Sequence, residues 1–475
     1  MSRFVHQVQP KLNFVPPAYS PLLVRVVHGL LPLLLRFRTR SWLPAGVTQI
    51  ETHQVERLVD LFQKFQQGKV RFLMAFRHVE IEDPLCGLYL LSRDVTRIAK
   101  QKGIQLPLPL HTHFLYERGM SLWAGQWLGW GLSHLGGVPV RRGRRPDWPA
   151  MRQARNLMVN GPMPMVIAPE GGTNGHSEHI GPFEPGAAQL AFWCAEDLLK
   201  ADRSESVYIV PINLQYQYIS PNWSKLDRLL SWLEREGGLT AIKTVAGVAP
   251  DNSTFDAPAQ NYYQRIQQLG EHLLSVMIPF YRRFYHQPLE NDPTQPFDDR
   301  FQALLDSALK VSEHYFGVPS KGTLVDRCRR LEEAGWTYIY RDDLPERKTL
   351  SSLERGLADW VAEEASLRML HMRLVESFVA VTDTYVSEKP SFQRCAETAL
   401  LMFDMMARIR GDKLPRRPRL GHRRAIITVG QPISVTERWA SYQGNSRQAR
   451  KAVLALTQTL RERMTEMVDL GKGRG

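Results

Sequence analysis

The chain has few cysteines and no long apolar run, and each shortage excludes a class of protein. Its four cysteines, in 475 residues, are scattered without paired spacing. This argues for a reducing compartment and against a disulfide framework or a zinc site. No secretory signal, zinc-finger pattern or RNA-binding signature is evident. The sequence therefore predicts a globular protein with neither a metal nor a nucleic acid as its partner.

Positive charge is in excess, with 61 Lys and Arg against 48 Asp and Glu and a net charge of +13. Such an excess favours anionic partners, among them a membrane surface and a phosphorylated substrate. The most apolar segment, residues 22–35, is interrupted by Arg25 and Pro32 and falls short of the roughly 20 apolar residues that span a membrane. Two interpretations stay open, a helix lying on a membrane surface and an ordinary buried helix.

A histidine and an aspartate stand on either side of a predicted turn between a strand and a helix. Residues 71–76 form a short apolar run typical of a buried strand, and Pro84 favours the first turn of a helix. This places Asp83 at or near the N-cap and His78 in the turn before it. The aspartate would accept one ring N–H of the imidazole and leave the other nitrogen free as a base. The alternative is that Asp83 only caps the helix.

Predicted strands and helices alternate along much of the chain, which indicates an α/β sheet with its functional loops at one edge. In the predicted helix 114–134, three tryptophans recur at helical spacing and are interpreted as core packing, with contact to lipid as the alternative. These are Trp123, Trp127 and Trp130. Strands are predicted at 71–76, 135–145, 164–168, 207–216 and 425–433, and the second of them ends in four arginines. Helices are predicted at 85–102, 114–134, 151–159 and 446–468, and a turn at 183–191 opens another helix.

Three further blocks follow the His–Asp turn in a fixed order. The first is a glycine-led strand that ends in arginines, the second is a Pro-Glu-Gly turn behind a buried strand, and the third is a Val-Pro-Ile strand. A Val-Gly-x-Pro-Ile segment closes the series. The segments are Gly136–Arg142, Ala168–Gly171 with Phe183–Ala187 after it, Val210–Ile212 and Val429–Ile433.

In this order the blocks resemble the glycerolipid acyltransferase family, which includes the 1-acylglycerol-3-phosphate acyltransferases. The family's first block is His, four residues, Asp, as in His78 and Asp83. Its third block is Phe-Pro-Glu-Gly-Thr, and here Gly172 stands where the family has threonine. The resemblance covers about 60–255 and 420–468, and four ordered blocks are more specific than any single one.

The resemblance implies a reaction and its residues. His78 is expected to be the general base and Asp83 to orient it, in the logic of a serine-type triad whose nucleophile is the substrate hydroxyl. Arginines suit a phosphate, which predicts substrate binding by Arg142 and Arg144. Substrate binding is also expected from Glu170, Gly171 and Pro211, with no metal and no cofactor other than the acyl donor as co-substrate.

The predicted fold is an α/β domain with a mixed sheet flanked by helices, interrupted by a largely helical insertion. The pattern from about 262 to 410 is almost entirely helical and rich in charge. The predicted division is a membrane-interfacial segment at 1–60, the acyltransferase α/β domain at 61–255, the helical insertion at 256–415 and the completion of the domain at 416–475.

The predicted function is transfer of a fatty acyl group from acyl-CoA or acyl carrier protein to a glycerophospholipid precursor. The expected acceptor is 1-acyl-sn-glycerol 3-phosphate (lysophosphatidic acid), with glycerol 3-phosphate as the alternative. The protein is expected to be peripheral, at the cytoplasmic face of an anionic membrane. Two other functions stay open, a catalytically silent membrane scaffold of the same fold and a thioester hydrolase that uses the same base.

Overall fold

The structure is a computed structural model, and it describes residues 7–10, 14–38, 46–120, 126–141, 147–239, 259–290, 292–345, 349–376, 378, 384–412 and 416–472. The chain divides into two compact units. The sheet unit consists of Phe14–Arg141, Asp147–Ser220 and Gly421–Gly475, and the helical unit consists mainly of Pro221–Leu420. The domain limits predicted at 60, 255 and 415 stay predictions.

The strands differ greatly in length, from two residues to thirteen. In chain order they are β1 (Gln9–Pro10), β2 (Val47–His53), β3 (Val70–Phe76), β4 (His113–Glu117), β5 (Gly137–Val140), β6 (Met165–Ile167), β7 (Ser206–Tyr218), β8 (Tyr340–Arg341), β9 (Arg423–Val429) and β10 (Ile433–Ser434).

One mixed sheet organises the described part of the sheet unit. Its eight strands run in the order β2-β9-β7-β3-β6-β4-β5, with β10 also paired to β7. Only the pairs β7–β9 and β7–β10 are antiparallel, and the other neighbours are parallel. The predicted α/β class with a mixed sheet is therefore confirmed. The short β1 and β8 pair in parallel within the helical unit.

Helices cover both faces of the sheet, because successive side chains of its central strand point into different cores. Leu73 and Ala75 of β3 belong to one core cluster, and Phe72, Met74 and Phe76 to the other. Strands buried on both faces are expected in a parallel sheet. The first cluster includes residues of helices Trp148–Asn160, Gly186–Lys200 and Ser446–Lys472, and the second those of Pro21–Arg36, Glu56–Gln66 and the helical run Asp83–Gln101.

The helical unit is largely helical, as the sequence predicts for residues from about 262 to 410. Its long helices are amphipathic, and a capping box begins the one at Leu324. Among the described residues, no helix of either unit has the length and apolar character needed to cross a membrane. The helices of this unit are Trp223–Gly237, Ala259–Tyr285, Phe297–Phe316, Leu324–Ile339, Ser352–Glu376, Thr384–Ser387 and Phe392–Ile409.

The predicted helix 114–134 is wrong at its start, residues 114–117. Residues His113–Glu117 form β4, paired in parallel with β5 and β6, and the helix of this region is Gln126–His134. A short aromatic run fits a strand as well as a helix, and pairing with two neighbouring strands decides between them. Trp127 and Trp130 are 51% and 58% exposed, so core packing is wrong for both of them. Trp123 lies outside the described residues.

A proline lies in the middle of the long central strand β7, where a missing N–H would ordinarily cost a ladder hydrogen bond. Pro211 stands where the antiparallel partner of β7 changes, since Ile209 pairs with Ile433 of β10 and Ile212 with Val429 of β9. Its carbonyl accepts from the backbone N–H of Gly430 at 2.8 Å. The change of partner therefore accommodates the proline inside a central strand.

Gly430 has no room for a side chain. A Cβ there would lie 2.9 Å from Cγ of Pro211 and 3.0 Å from Sδ of Met467. We predict that Gly430→Ala lowers the free energy of unfolding by about 1–3 kcal/mol, the usual cost of overpacking. Equilibrium urea unfolding measures it. Gly186→Ala is the control, because no atom lies within 4 Å of its added Cβ. Equal stability of the two variants would contradict the packing described here.

Candidate active site

The site forms where β7 continues beyond the end of β3. The last residue of β3, Phe76, pairs with Ile212, whereas β7 runs on to Tyr218. On the β3 side, this extension leaves backbone groups of β7 without a strand beside them, while β9 continues to pair with the other side. Arg77, which is fully buried, supplies a donor through its guanidinium to the carbonyl of Leu214 at 3.3 Å.

The same guanidinium holds the loop that lies beside the site. It donates to the carbonyls of His176 at 2.9 Å and Ser177 at 2.6 Å. The hydroxyl of Ser177 in turn accepts from the backbone N–H of Tyr216 at 3.2 Å. Arg77 and this loop therefore supply hydrogen-bond partners to backbone groups of β7 beyond the end of β3.

The turn after β3 brings the predicted His–Asp pair together. Nδ1 of His78 lies 3.1 Å from Oδ2 of Asp83, and the same oxygen accepts from the backbone N–H groups of Val79 and Glu80. The Asp83 side chain is 1% exposed and that of His78 is 26% exposed. A carboxylate only accepts, so the proton of a neutral His78 ring is on Nδ1. Nε2 makes no hydrogen bond to any residue that the structure describes.

The second oxygen of Asp83 is held by a buried tyrosine. The hydroxyl of Tyr216 donates to Oδ1 at 2.5 Å. Burial, and then the charge of Asp83, raise the pKa of Tyr216 well above its ordinary value, so this hydroxyl keeps its proton. Cys86 Sγ lies 3.5 Å from the hydroxyl oxygen, and burial raises the pKa of that thiol to about 12.

A buried arginine from the end of the chain packs against the same turn. The guanidinium of Arg423 lies 4.7 Å from the ring centre of Tyr216. It also forms ion pairs with Glu80, at 3.5 Å, and with Glu82. Because Arg423 belongs to β9, the segment after the helical insertion contributes directly to the surroundings of the His–Asp pair.

The carboxylate of Glu170 is buried beside His78, with a side chain only 3% exposed. Oε1 accepts from the backbone N–H of His78 at 3.3 Å and lies 3.8 Å from Nε of Arg77. Oε2 accepts from Nδ2 of Asn174 at 2.8 Å and from the N–H of Gly181 at 3.2 Å. Burial raises the pKa of Glu170, and Arg77 opposes that rise. The carboxylate thus links loop 170–181 to the His–Asp turn.

The remaining predicted binding residues lie at different places. Gly171 has φ +72°, a conformation that favours glycine, and its N–H donates to the carbonyl of Ala168. Pro211 is buried inside β7. Arg142 and Arg144 lie outside the described residues. The roles of all these residues in substrate binding stay predictions.

Asp147 holds the residues on both sides of segment 142–146, which contains Arg142 and Arg144. Oδ2 of Asp147 accepts from the backbone N–H of Arg141 at 2.8 Å and from the side chain of Arg118. Its Oδ1 accepts from the N–H of Ala150, which caps the following helix. The end of β5 and the start of that helix are thereby fixed next to each other.

Four residues of the site were missed by the sequence reasoning. Arg77 adjoins His78, and a charged residue at the end of a buried strand is a signal that could have found it. Asn174, Tyr216 and Arg423 carry no such signal, because only the fold brings them beside residues distant in the chain. No group of three or more His, Cys, Asp or Glu side chains in the described part of the chain is arranged to hold a metal.

Comparison with known families gives a match over part of the chain. Residues 50–215 match the Acyltransferase family model, that of the glycerolipid acyltransferases. The matched stretch contains the His–Asp turn, Glu170 and Pro211, and it supports a general acyltransferase role, with lipid and acyl-donor substrates in general. No curated protein and no solved structure matches the chain.

We predict that Arg77→Lys destabilises the fold by about 3 kcal/mol, because a single ammonium group cannot donate to all the buried carbonyls that the forked guanidinium serves. Equilibrium urea unfolding measures the change. Arg97→Lys is the control, since the Arg97 side chain is 56% exposed in its pair with Asp94. Arg97→Lys should be close to neutral, and a neutral Arg77→Lys would contradict the role given to Arg77.

Proposed function

We propose that the protein transfers a fatty acyl group from an acyl-CoA or acyl carrier protein thioester to the hydroxyl of a glycerophospholipid precursor, with His78 as the general base. The family match supports acyl transfer in general. The observation that carries the proposal further is the 3.1 Å contact between Nδ1 of His78, whose side chain is 26% exposed, and the buried Asp83.

The pair suits the proton movements of acyl transfer. Nε2 of His78 takes the proton of the acceptor hydroxyl as its oxygen attacks the thioester carbonyl carbon. The carbon–sulfur bond then breaks, and the imidazolium returns the proton to the leaving thiolate. Asp83 stabilises the charged ring between these steps and fixes its orientation. The substrate supplies the nucleophile, so no side chain of the enzyme is acylated.

The proposed acceptor is 1-acyl-sn-glycerol 3-phosphate, and its phosphate is proposed to bind Arg142 and Arg144. This part rests on the sequence, where forked donors that suit a phosphate follow the glycine-led strand. The net charge of +13 also favours an anionic substrate at an anionic surface.

We predict that His78→Ala lowers the rate of acyl transfer by about 10²- to 10⁴-fold, the usual contribution of a general base. The assay offers labelled acyl-CoA and acyl carrier protein thioesters with lysophosphatidic acid and with glycerol 3-phosphate. His53→Ala is the matched control, because the His53 side chain is 28% exposed and lies 2.9 Å from Glu51. It should keep full activity.

Each result of this assay points to one function. Product from a single acceptor identifies the substrate, and hydrolysis of the thioester without an acceptor indicates a hydrolase that uses the same base. A fully active His78→Ala would rule out the proposed base. A folded wild-type protein that turns over no thioester would favour the scaffold function.

We further propose that the protein binds a membrane surface peripherally, at the cytoplasmic face, through helix Pro21–Arg36. One side of this helix is buried through Val24, Leu31 and Leu35. The opposite side exposes other apolar residues, and Arg25 and Arg36 are exposed as well. An apolar face accompanied by cations is typical of helices at a lipid interface. The exposed apolar residues are Leu22 at 72%, Val26 at 50%, Leu30 at 44% and Leu33 at 53%, followed by Phe37 at 53%.

The neighbouring helix Gln126–His134 adds aromatic rings to this proposed surface. It is joined to the segment before Pro21 by two backbone hydrogen bonds, from Ala18 to Ser133 and from Ser20 to His134. Trp127 and Trp130 of that helix are exposed. Tryptophan is enriched at membrane interfaces, which supports lipid as the partner of this region.

We predict that Leu33→Ser weakens flotation of the protein with vesicles that contain anionic phospholipid, because it removes apolar surface from the lipid-facing side. Leu454→Ser is the control, since Leu454 is also 53% exposed but lies on helix Ser446–Lys472. It should float as the wild type does. Equal flotation of both variants would remove this helix from the membrane contact.

A further inference from the structure

We infer that Tyr216 is a positioning residue for the base, acting on His78 through the carboxylate of Asp83. The inference rests on the proposed function and deepens it. It adds Tyr216 to the His–Asp pair as the third member of a hydrogen-bonded triad. The connection runs from the Tyr216 hydroxyl to Oδ1 of Asp83 at 2.5 Å, and from Oδ2 to Nδ1 of His78 at 3.1 Å.

The fold explains why a tyrosine of β7 reaches this place. Ile212, Leu214 and Tyr216 alternate along the strand and point into the same core. Because β3 has already ended at this level, the side chain of Tyr216 contacts the His–Asp turn that follows β3. The position is therefore set by how far β7 extends beyond β3.

The two oxygens of Asp83 have different partners, which assigns Tyr216 a separate task. Oδ2 receives the ring N–H of His78 together with the backbone N–H groups of Val79 and Glu80. Oδ1 receives one hydrogen bond from the described residues, that of Tyr216. Without it, Oδ1 is a buried acceptor with no donor, and the orientation of the carboxylate towards the imidazole is held only through Oδ2.

Other charged and titratable residues surround the hydrogen-bonded series Tyr216–Asp83–His78. Glu170 and Arg77 lie beside the backbone of His78, Glu80 and Glu82 lie in the turn, and Arg423 and Cys86 contact Tyr216. None of these side chains donates a hydrogen bond to the carboxylate of Asp83. Tyr216 alone links the carboxylate to β7 among the described residues, and its hydroxyl is the atom to remove.

Tyr216→Phe is the direct test, since it removes the hydroxyl and keeps the ring beneath Arg423. Loss of the donor leaves more negative charge on the Asp83 carboxylate, which favours the protonated imidazole. The acidic limb of the pH profile of kcat/KM should therefore move to higher pH. At neutral pH, kcat/KM should fall roughly tenfold to hundredfold, as for loss of one hydrogen bond to a charged group.

Tyr281→Phe is the matched control. Tyr281 is equally buried, at 1% exposure, and its hydroxyl also makes one side-chain hydrogen bond, to Nδ1 of His371 at 2.7 Å in the helical unit. Its removal should cost stability but leave the pH profile where it is. A Tyr216→Phe profile that coincides with the wild-type profile would overturn the inference, because a purely structural tyrosine would behave in this way.

A second measurement keeps the inference testable if the proposed function fails. Titration of the His78 ring by NMR, with its signal assigned by loss in His78→Ala, reports the imidazole directly and needs no substrate. We expect a higher pKa for His78 in Tyr216→Phe than in the wild type. Equal pKa values in a folded variant would overturn the inference even for a protein that transfers no acyl group.

Discussion

The site depends on one buried carboxylate. Asp83 accepts hydrogen bonds from a histidine ring, two backbone N–H groups and a tyrosine hydroxyl, with its side chain 1% exposed. A charge in such a position is costly unless it is fully hydrogen-bonded, so the turn and the extension of β7 are both constrained to supply donors. The geometry of His78 follows from those constraints.

A second constraint is that the backbone groups of β7 beyond the end of β3 must find hydrogen-bond partners. Because β3 ends before β7, backbone groups of β7 need partners, and Arg77 and Ser177 provide them. Glu170 then joins the same loop to the backbone of His78. Glu170, which the sequence suggests for substrate binding, therefore already has structural partners on the protein side. His78, the proposed base, keeps Nε2 free of hydrogen bonds to any described residue, which its proposed contact with substrate requires.

Much of the fold and the central pair were predictable from the sequence. The strand before His78, the proline after Asp83 and the alternation of strands and helices are local signals, and the structure has the turn where they place it. Residues 114–117 were predicted wrongly because a short aromatic run does not distinguish the periodicity of a helix from that of a strand. Tyr216 and Arg423 were not predictable, since their contacts with the turn depend on strand register and on a segment that follows the helical insertion.

The most direct test of the central claim, that Asp83 acts through His78, is a double-mutant cycle on the rate of acyl transfer. It compares kcat/KM of His78→Ala, Asp83→Asn and the double variant, all checked for folding. Groups that act as a unit are not additive. We expect Asp83→Asn to slow the wild type strongly but to cause no further loss once His78 is absent. Independent losses that multiply in the double variant would contradict the account and assign Asp83 a role apart from the base.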